Sequence, residues 1–185
     1  MKELKRTKTT YMALCGLFAA LTAICSWISI PLGFTPVPVN LATLAVFLAG
    51  GLLGPKYGTL SLTVYTLIGA VGAPVFSGFR GGFSVLAGPT GGYIIGYIAA
   101  AFIAGLICHS LAGAASGKGS AVIKCVIGLI LALAACYALG TLWFIISTGT
   151  GLKAAFVACI LPFLPGDALK IIAATILIQK LRRFV

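Results

Sequence analysis

Between Tyr93 and Ala112 the chain runs for twenty residues, YIIGYIAAAFIAGLICHSLA, without a single acidic, lysine or arginine side chain. About 20 apolar residues in a helix match the roughly 30 Å hydrocarbon core of a bilayer. Stretches of this kind recur along the sequence, parted by short clusters of glycine, proline and basic residues. That recurrence limits the fold more than any other feature. Of 185 residues, 61% are hydrophobic and 8% charged, whereas a water-soluble domain carries about 25% charged residues. Mean hydropathy is +1.16. An all-α, polytopic membrane protein is expected. The first apolar run is full length and others follow it, so a cleaved leader is not expected.

The breaks divide one membrane domain, 1–185, into a basic tail at 1–10 and six spans at about 11–30, 40–54, 57–72, 93–112, 122–147 and 167–181. Pro31 and Gly33 end the first span, and PLGFTPVPV reads as a loop. Gly54-Pro55-Lys56 is a tight break between the second and third spans. A long connection rich in glycine and proline, GAPVFSGFRGGFSVLAGPTGG, leads to the fourth, and AASGKGS is a polar turn before the fifth. Pro162, Pro165 and Gly166 separate a short apolar helix near the surface from the sixth span.

Charge sets the orientation. The formal net charge of +11 suggests nucleic acid at first sight, but the basic residues cluster at the termini and in short connections, which suits an anionic membrane surface instead. With an even number of spans both termini share a side. Placing them in the cytoplasm puts Lys2, Lys5, Arg6, Lys8, Lys56, Lys118, Lys124, Lys180, Arg182 and Arg183 inside, and Arg80, Lys153 and Lys170 outside or at the outer edge. That is ten basic residues against three, as the positive-inside rule demands. The expected topology is N-in, C-in, in the cell membrane, with the lipid bilayer as the surrounding partner and no nucleic acid.

The acidic residues number two, Glu3 in the tail and Asp167 in LPFLPGDALKIIAA. A charge within a span costs about 2.5–3.5 kcal/mol on insertion scales and by default marks function. Asp167 and Lys170, at i and i+3, share a helix face. They suit an internal ion pair, or else Lys170 snorkelling to the interface with Asp167 as the helix N-cap. They equally suit a cavity open to the outside, where the carboxylate accepts ligand N–H groups and the ammonium meets a ligand anion. Asn40, the sole asparagine, can cap the second helix or pair with an amide-like ligand group. Arg80, within GFRGG, is either a loop charge or an anchor for a ligand carboxylate. Thr90 and Tyr93 in GPTGGY are a cap and an interfacial aromatic, or part of the cavity wall. On the first helix Ala19 and Ala23, with Gly16 and Ala20, form a small-residue face for close helix approach, within this chain or by a partner membrane subunit.

Several chemistries are excluded. The six cysteines fall in or beside apolar runs without a C-x-x-C pair, so neither a disulfide framework nor a metal site is expected. AASGKGS lacks the first glycine and the Ser/Thr of a nucleotide-binding loop. With one acid in the membrane region and one histidine, neither a carboxylate pair nor a serine–histidine–acid triad can be assembled. No catalytic residue, enzyme activity or cofactor is expected.

The segments PVPVNLATLAVFLAGGLLGPKYG, GAPVFSGFRGG, VLAGPTGGYIIGY, ACYALGTLWF and LPGDALK resemble the BioY family, the biotin-specific S components of energy-coupling factor transporters. The resemblance covers nearly the whole chain, and GPTGGY and PGD-x-x-K are its most specific parts. It implies an S-component fold of six helices and a biotin pocket open to the outside. It also implies two kinds of partner, a transmembrane coupling subunit (the T component) and ABC-type ATPases. Under it, Asp167 and Asn40 would contact the ureido ring, and Arg80 or Lys170 would meet the carboxylate, with orienting Asp167 as the other role open to Lys170. Tyr93 with loop apolar residues would pack the rings beside the Thr90 hydroxyl. Ala19 and Ala23 would lie on the coupling face. Another vitamin as substrate, or a membrane scaffold or enzyme, are the competing readings.

Overall fold

The computed structural model describes residues 8–110 and 118–182. The first seven residues of the basic tail, most of the AASGKGS turn and the last three residues lie outside the described residues. The elements, in order, are α1 (Lys8–Trp27), β1 (Ser29–Leu32), β2 (Thr35–Asn40), α2 (Ala42–Ala70), α3 (Phe83–Ala87), α4 (Gly91–Ser110), α5 (Lys118–Thr148), α6 (Leu152–Cys159) and α7 (Leu164–Leu181).

The all-α expectation needs one correction. PLGFTPVPV is not a loop but most of an antiparallel hairpin, with Ser29 opposite Asn40, Ile30 opposite Val39 and Leu32 opposite Thr35. Prolines hold φ near −65° and push the residue before them into extended backbone, so TPVPV is extended by covalent geometry. In a two-stranded sheet both strands are edges, where proline's missing N–H is tolerated. The hairpin shortens the first helix, which ends at Trp27 rather than Ile30. It also delays the second helix to Ala42 and makes Asn40 the last residue of a strand.

The break at Gly54 is where the sequence places it, although the two limbs share one helical element. Gly54 has φ 79°, ψ 178° inside α2 and is followed by Pro55. A Cβ on Gly58 would lie 2.8 Å from the Ala49 carbonyl oxygen and 2.9 Å from Gly50 Cα. Nine residues along a straight helix would separate these by ~13.5 Å, so the chain folds back on itself at Gly54. The bend is seated on α4, where a Cβ on Gly105 would lie 2.6 Å from the Gly54 carbonyl carbon and 2.7 Å from Pro55 Cα. Only small residues permit helix backbones this close.

Helix α4 lies between α2 on one side and α5 on the other, and α1 and α7 pack on α2. The centre is lined by alanines and larger apolar residues such as Phe47, Ala49, Leu62, Ala101, Ala104 and Leu129. Leu17, Phe102, Leu106, Ile123, Ile130 and Ile172 point outward, the inside-out pattern of a protein solvated by hydrocarbon. Three described helices, Lys8–Trp27, Gly91–His109 and Ala121–Thr148, are long and apolar enough to cross a membrane singly. Helices α6 and α7, bent by 50° at their junction, meet that measure only when taken together, as one broken span or a re-entrant loop. Helix α6 is the short apolar helix read from the sequence, and α7 begins three residues before Asp167.

Candidate functional site

The connectivity brings one end of most elements together: the end of α1, the hairpin, the starts of α2, α4 and α7, and the far half of α5. There they enclose a cavity of about 60 Å³. Asn40, Arg80, Thr90, Tyr93, Asp167 and Lys170, all nominated from sequence, line it. Three helix N-termini converge here, each carrying the equivalent of about half a positive charge, so the wall favours anions.

Its polar centre is the ion pair. Lys170 Nζ lies 2.7 Å from Asp167 Oδ1, with Asp167 2% and Lys170 8% exposed. Thr43, in the first turn of α2, closes a triangle: its hydroxyl donates to Asp167 Oδ1 at 3.2 Å and accepts from Lys170 Nζ at 3.0 Å. The other carboxylate oxygen, Oδ2, accepts the hydroxyl of Tyr137 from α5. Asp167 is not the helix cap that one reading allowed. The N-cap is Phe163, and Asp167 sits in the first turn with its side chain turned to the cavity. Nor does Lys170 snorkel; its ammonium stays buried. The ion pair and the cavity wall are one structure.

Asn40 serves local structure and faces the cavity. Its Oδ1 accepts the Ala42 N–H at 3.0 Å, holding the start of α2, and its Nδ2 donates to Ser77 Oγ at 2.8 Å. Ser77 belongs to the loop carrying Arg80, whose Nε donates to the Ser77 carbonyl at 3.2 Å. A tight turn through Gly78 (φ 72°) and Phe79 (φ 56°) lets Phe76 N–H reach the Arg80 carbonyl at 2.9 Å. Arg80 is exposed at the cavity mouth, and a larger outer recess shares Pro38, Ser77 and Arg80 with it. The Thr90 carbonyl accepts the Tyr93 N–H at 3.1 Å at the start of α4. Tyr93 directs its hydroxyl to Thr141 Oγ1 and the Cys159 carbonyl, each at 3.3 Å, leaving its ring in the wall.

Sequence reasoning missed Thr43, Tyr137, Tyr65 and Tyr97, which also line the cavity. A signal did exist: a hydroxyl in an apolar helix must find a partner, and Tyr137 lies within ACYALGTLWF. Nothing along the chain says that the partner of Tyr137 is a carboxylate 30 residues away.

The model of the BioY family matches residues 1–185. This chain belongs to the BioY family. Among its relatives is the probable biotin transporter BioY of Pyrococcus horikoshii, 39% identical over 176 residues, 95% of this chain and 98% of that protein. The biotin transporter BioY of Thermotoga maritima is also 39% identical, over 91% of this chain and 93% of that one. A crystal structure of the S-component for biotin from an ECF-type ABC transporter superposes with a TM-score of 0.85 at 29% identity, covering 99% of this chain and 95% of that one.

In this BioY-family chain the small-residue face of α1 divides in two. Ala19 and Ala23 are 5% and 6% exposed and form the floor of an apolar groove against α2. Gly16, Ala20 and Ile24 stand at its open side.

Proposed function

We propose that the chain is the substrate-binding subunit of a biotin uptake transporter, capturing biotin at the outer face for ATP-driven import by partner subunits. The observation that carries this reading is the gathering of Asn40, Arg80, Thr90, Tyr93, Asp167 and Lys170 around one cavity, in a chain of the BioY family. Biotin has ureido N–H donors at one end and a carboxylate at the other. The Asp167 carboxylate, deep in the cavity, is the acceptor suited to an N–H, and Asn40 completes the polar wall. Arg80, at the mouth, suits the carboxylate of the tail, with Lys170 and the convergent helix ends adding positive potential. Tyr93 and Thr90 bound the rings.

The same reading gives the chain six crossings, with the two limbs of α2 as short spans, both termini in the cytoplasm, and the cavity opening outward from the cell membrane. The asymmetry of basic residues supports this orientation. A transmembrane coupling subunit and ABC-type ATPases complete the transporter, since no nucleotide-binding loop is read in the sequence. The groove on α1 is the face offered to the coupling subunit. The test is equilibrium binding of radiolabelled biotin to the purified chain in detergent. The wild type should bind and Asp167→Ala should lose at least about 100-fold in affinity, the scale of truncating one partner of a buried charge pair. Unchanged affinity in Asp167→Ala sinks the assignment.

A further inference from the structure

Resting on the biotin-binding reading above, we propose that Tyr137 reads the carbonyl of the ligand's cyclic urea, acting with Asp167 as a paired donor and acceptor. The two oxygens of Asp167 are not equivalent. Oδ1 carries Lys170 at 2.7 Å and Thr43 at 3.2 Å, both inside a closed triangle. Oδ2 carries the neutral hydroxyl of Tyr137. A ligand N–H therefore displaces least by approaching Oδ2, because the ion pair on Oδ1 stays intact.

The chemistry of a cyclic urea fits what it meets there. Its N–H and C=O lie side by side on one edge, a donor next to an acceptor. Oδ2 of Asp167 and the phenolic oxygen of Tyr137, in hydrogen-bond contact, present the reverse order, an acceptor next to a donor. Binding needs only the phenolic O–H to rotate about its C–O bond. The ring N–H then donates to Oδ2, and the Tyr137 hydroxyl donates to the ring carbonyl. Two of the three Lys170 N–H groups are engaged with Asp167 and Thr43, and the Asn40 amide donates to Ser77. One N–H remains on each, but Tyr137 is the donor in contact with the accepting oxygen Oδ2 itself.

The arrangement also selects. A ligand that supplies an N–H without an adjacent acceptor shares Oδ2 with Tyr137, as Lys170 and Thr43 share Oδ1, and forgoes the second hydrogen bond that a cyclic urea gains. Tyr137 is on this account a specificity-determining residue, and Asp167 alone does not recognise the ring.

The experiment compares biotin with 2-thiobiotin, in which sulfur, a poor acceptor, replaces the ureido oxygen and the N–H groups remain. The full chain in detergent should prefer biotin by about tenfold, the scale of one buried hydrogen bond. In Tyr137→Phe that preference should fall to about twofold or less. Tyr137→Met removes the same donor and serves if the phenylalanine form is not recovered folded. A tenfold preference retained without Tyr137, or equal wild-type affinity for the two ligands, overturns the proposal. A wild type that binds neither ligand overturns the biotin-binding reading instead.

Discussion

Replacing Lys170 with methionine retains the reach of the side chain but removes its charge and N–H donors. In the structure Lys170 is 8% exposed, and its ammonium bonds Asp167 at 2.7 Å and Thr43 at 3.0 Å. Its loss leaves Asp167, 2% exposed, with only the hydroxyls of Thr43 and Tyr137 against the cost of burying its charge. Removing one partner of a buried ion pair costs about 3–5 kcal/mol. At about 2–4 °C per kcal/mol for a chain of this size, the apparent Tm should fall by about 6–20 °C. Removing both charges, in Asp167→Asn with Lys170→Met, leaves no uncompensated ion. The double variant should therefore lose at least about 2 kcal/mol less than the two single losses added together. A thiol-reactive dye in detergent can follow unfolding, since Cys15, Cys108, Cys125, Cys136 and Cys159 are free and buried. Additive losses, or a Lys170→Met variant within about 1 kcal/mol of wild type, would show that the pair is not held together by mutual compensation.

Three further outcomes are expected. Arg80→Ala should weaken biotin binding about tenfold and biotin methyl ester binding about twofold or less, because the exposed guanidinium acts on the tail carboxylate; equal losses for both ligands would place the carboxylate elsewhere. Gly54→Ala should lower stability by about 1–3 kcal/mol, since φ 79° with ψ 178° is a backbone region essentially reserved for glycine; an unchanged Tm would mean that the fold-back tolerates a side chain. Ala20→Trp, on the open side of the α1 groove, should leave biotin binding to the isolated chain within about twofold and abolish uptake in cells bearing the partner subunits. Ala19 is the poorer probe of that face, because at 5% exposure a tryptophan there would disrupt packing between α1 and α2.

The hairpin and the helix ends show what limits a reading along the chain. Pro31, Gly33, Pro36 and Pro38 mark an interruption unmistakably, but extended loop and hairpin differ only in whether Ser29 finds Asn40 across the turn. Gly54-Pro55 is different: a glycine-only backbone geometry followed by proline breaks a helix whatever surrounds it. Even so, the sequence could not say that the two limbs fold back upon one another.

For the site, charge was the legible property. A carboxylate and an ammonium one turn apart in an apolar chain stand out because insertion into lipid penalises each of them. Asp167 and Lys170 could therefore be singled out by their type and spacing, and the run of basic residues suggested which side they face. Thr43 and Tyr137 carry no such mark, being neutral, common in apolar helices and cheap to bury once their hydroxyls are paired. They enter the site only because α2, α5 and α7 meet at one end of the bundle, joining residues 124 and 30 positions apart to the same carboxylate. The chain by itself determined that a carboxylate and an ammonium share one helix face in an apolar segment. Tertiary packing decided which donors surround it, because hydrogen bonds depend on distance in space and not on position along the sequence.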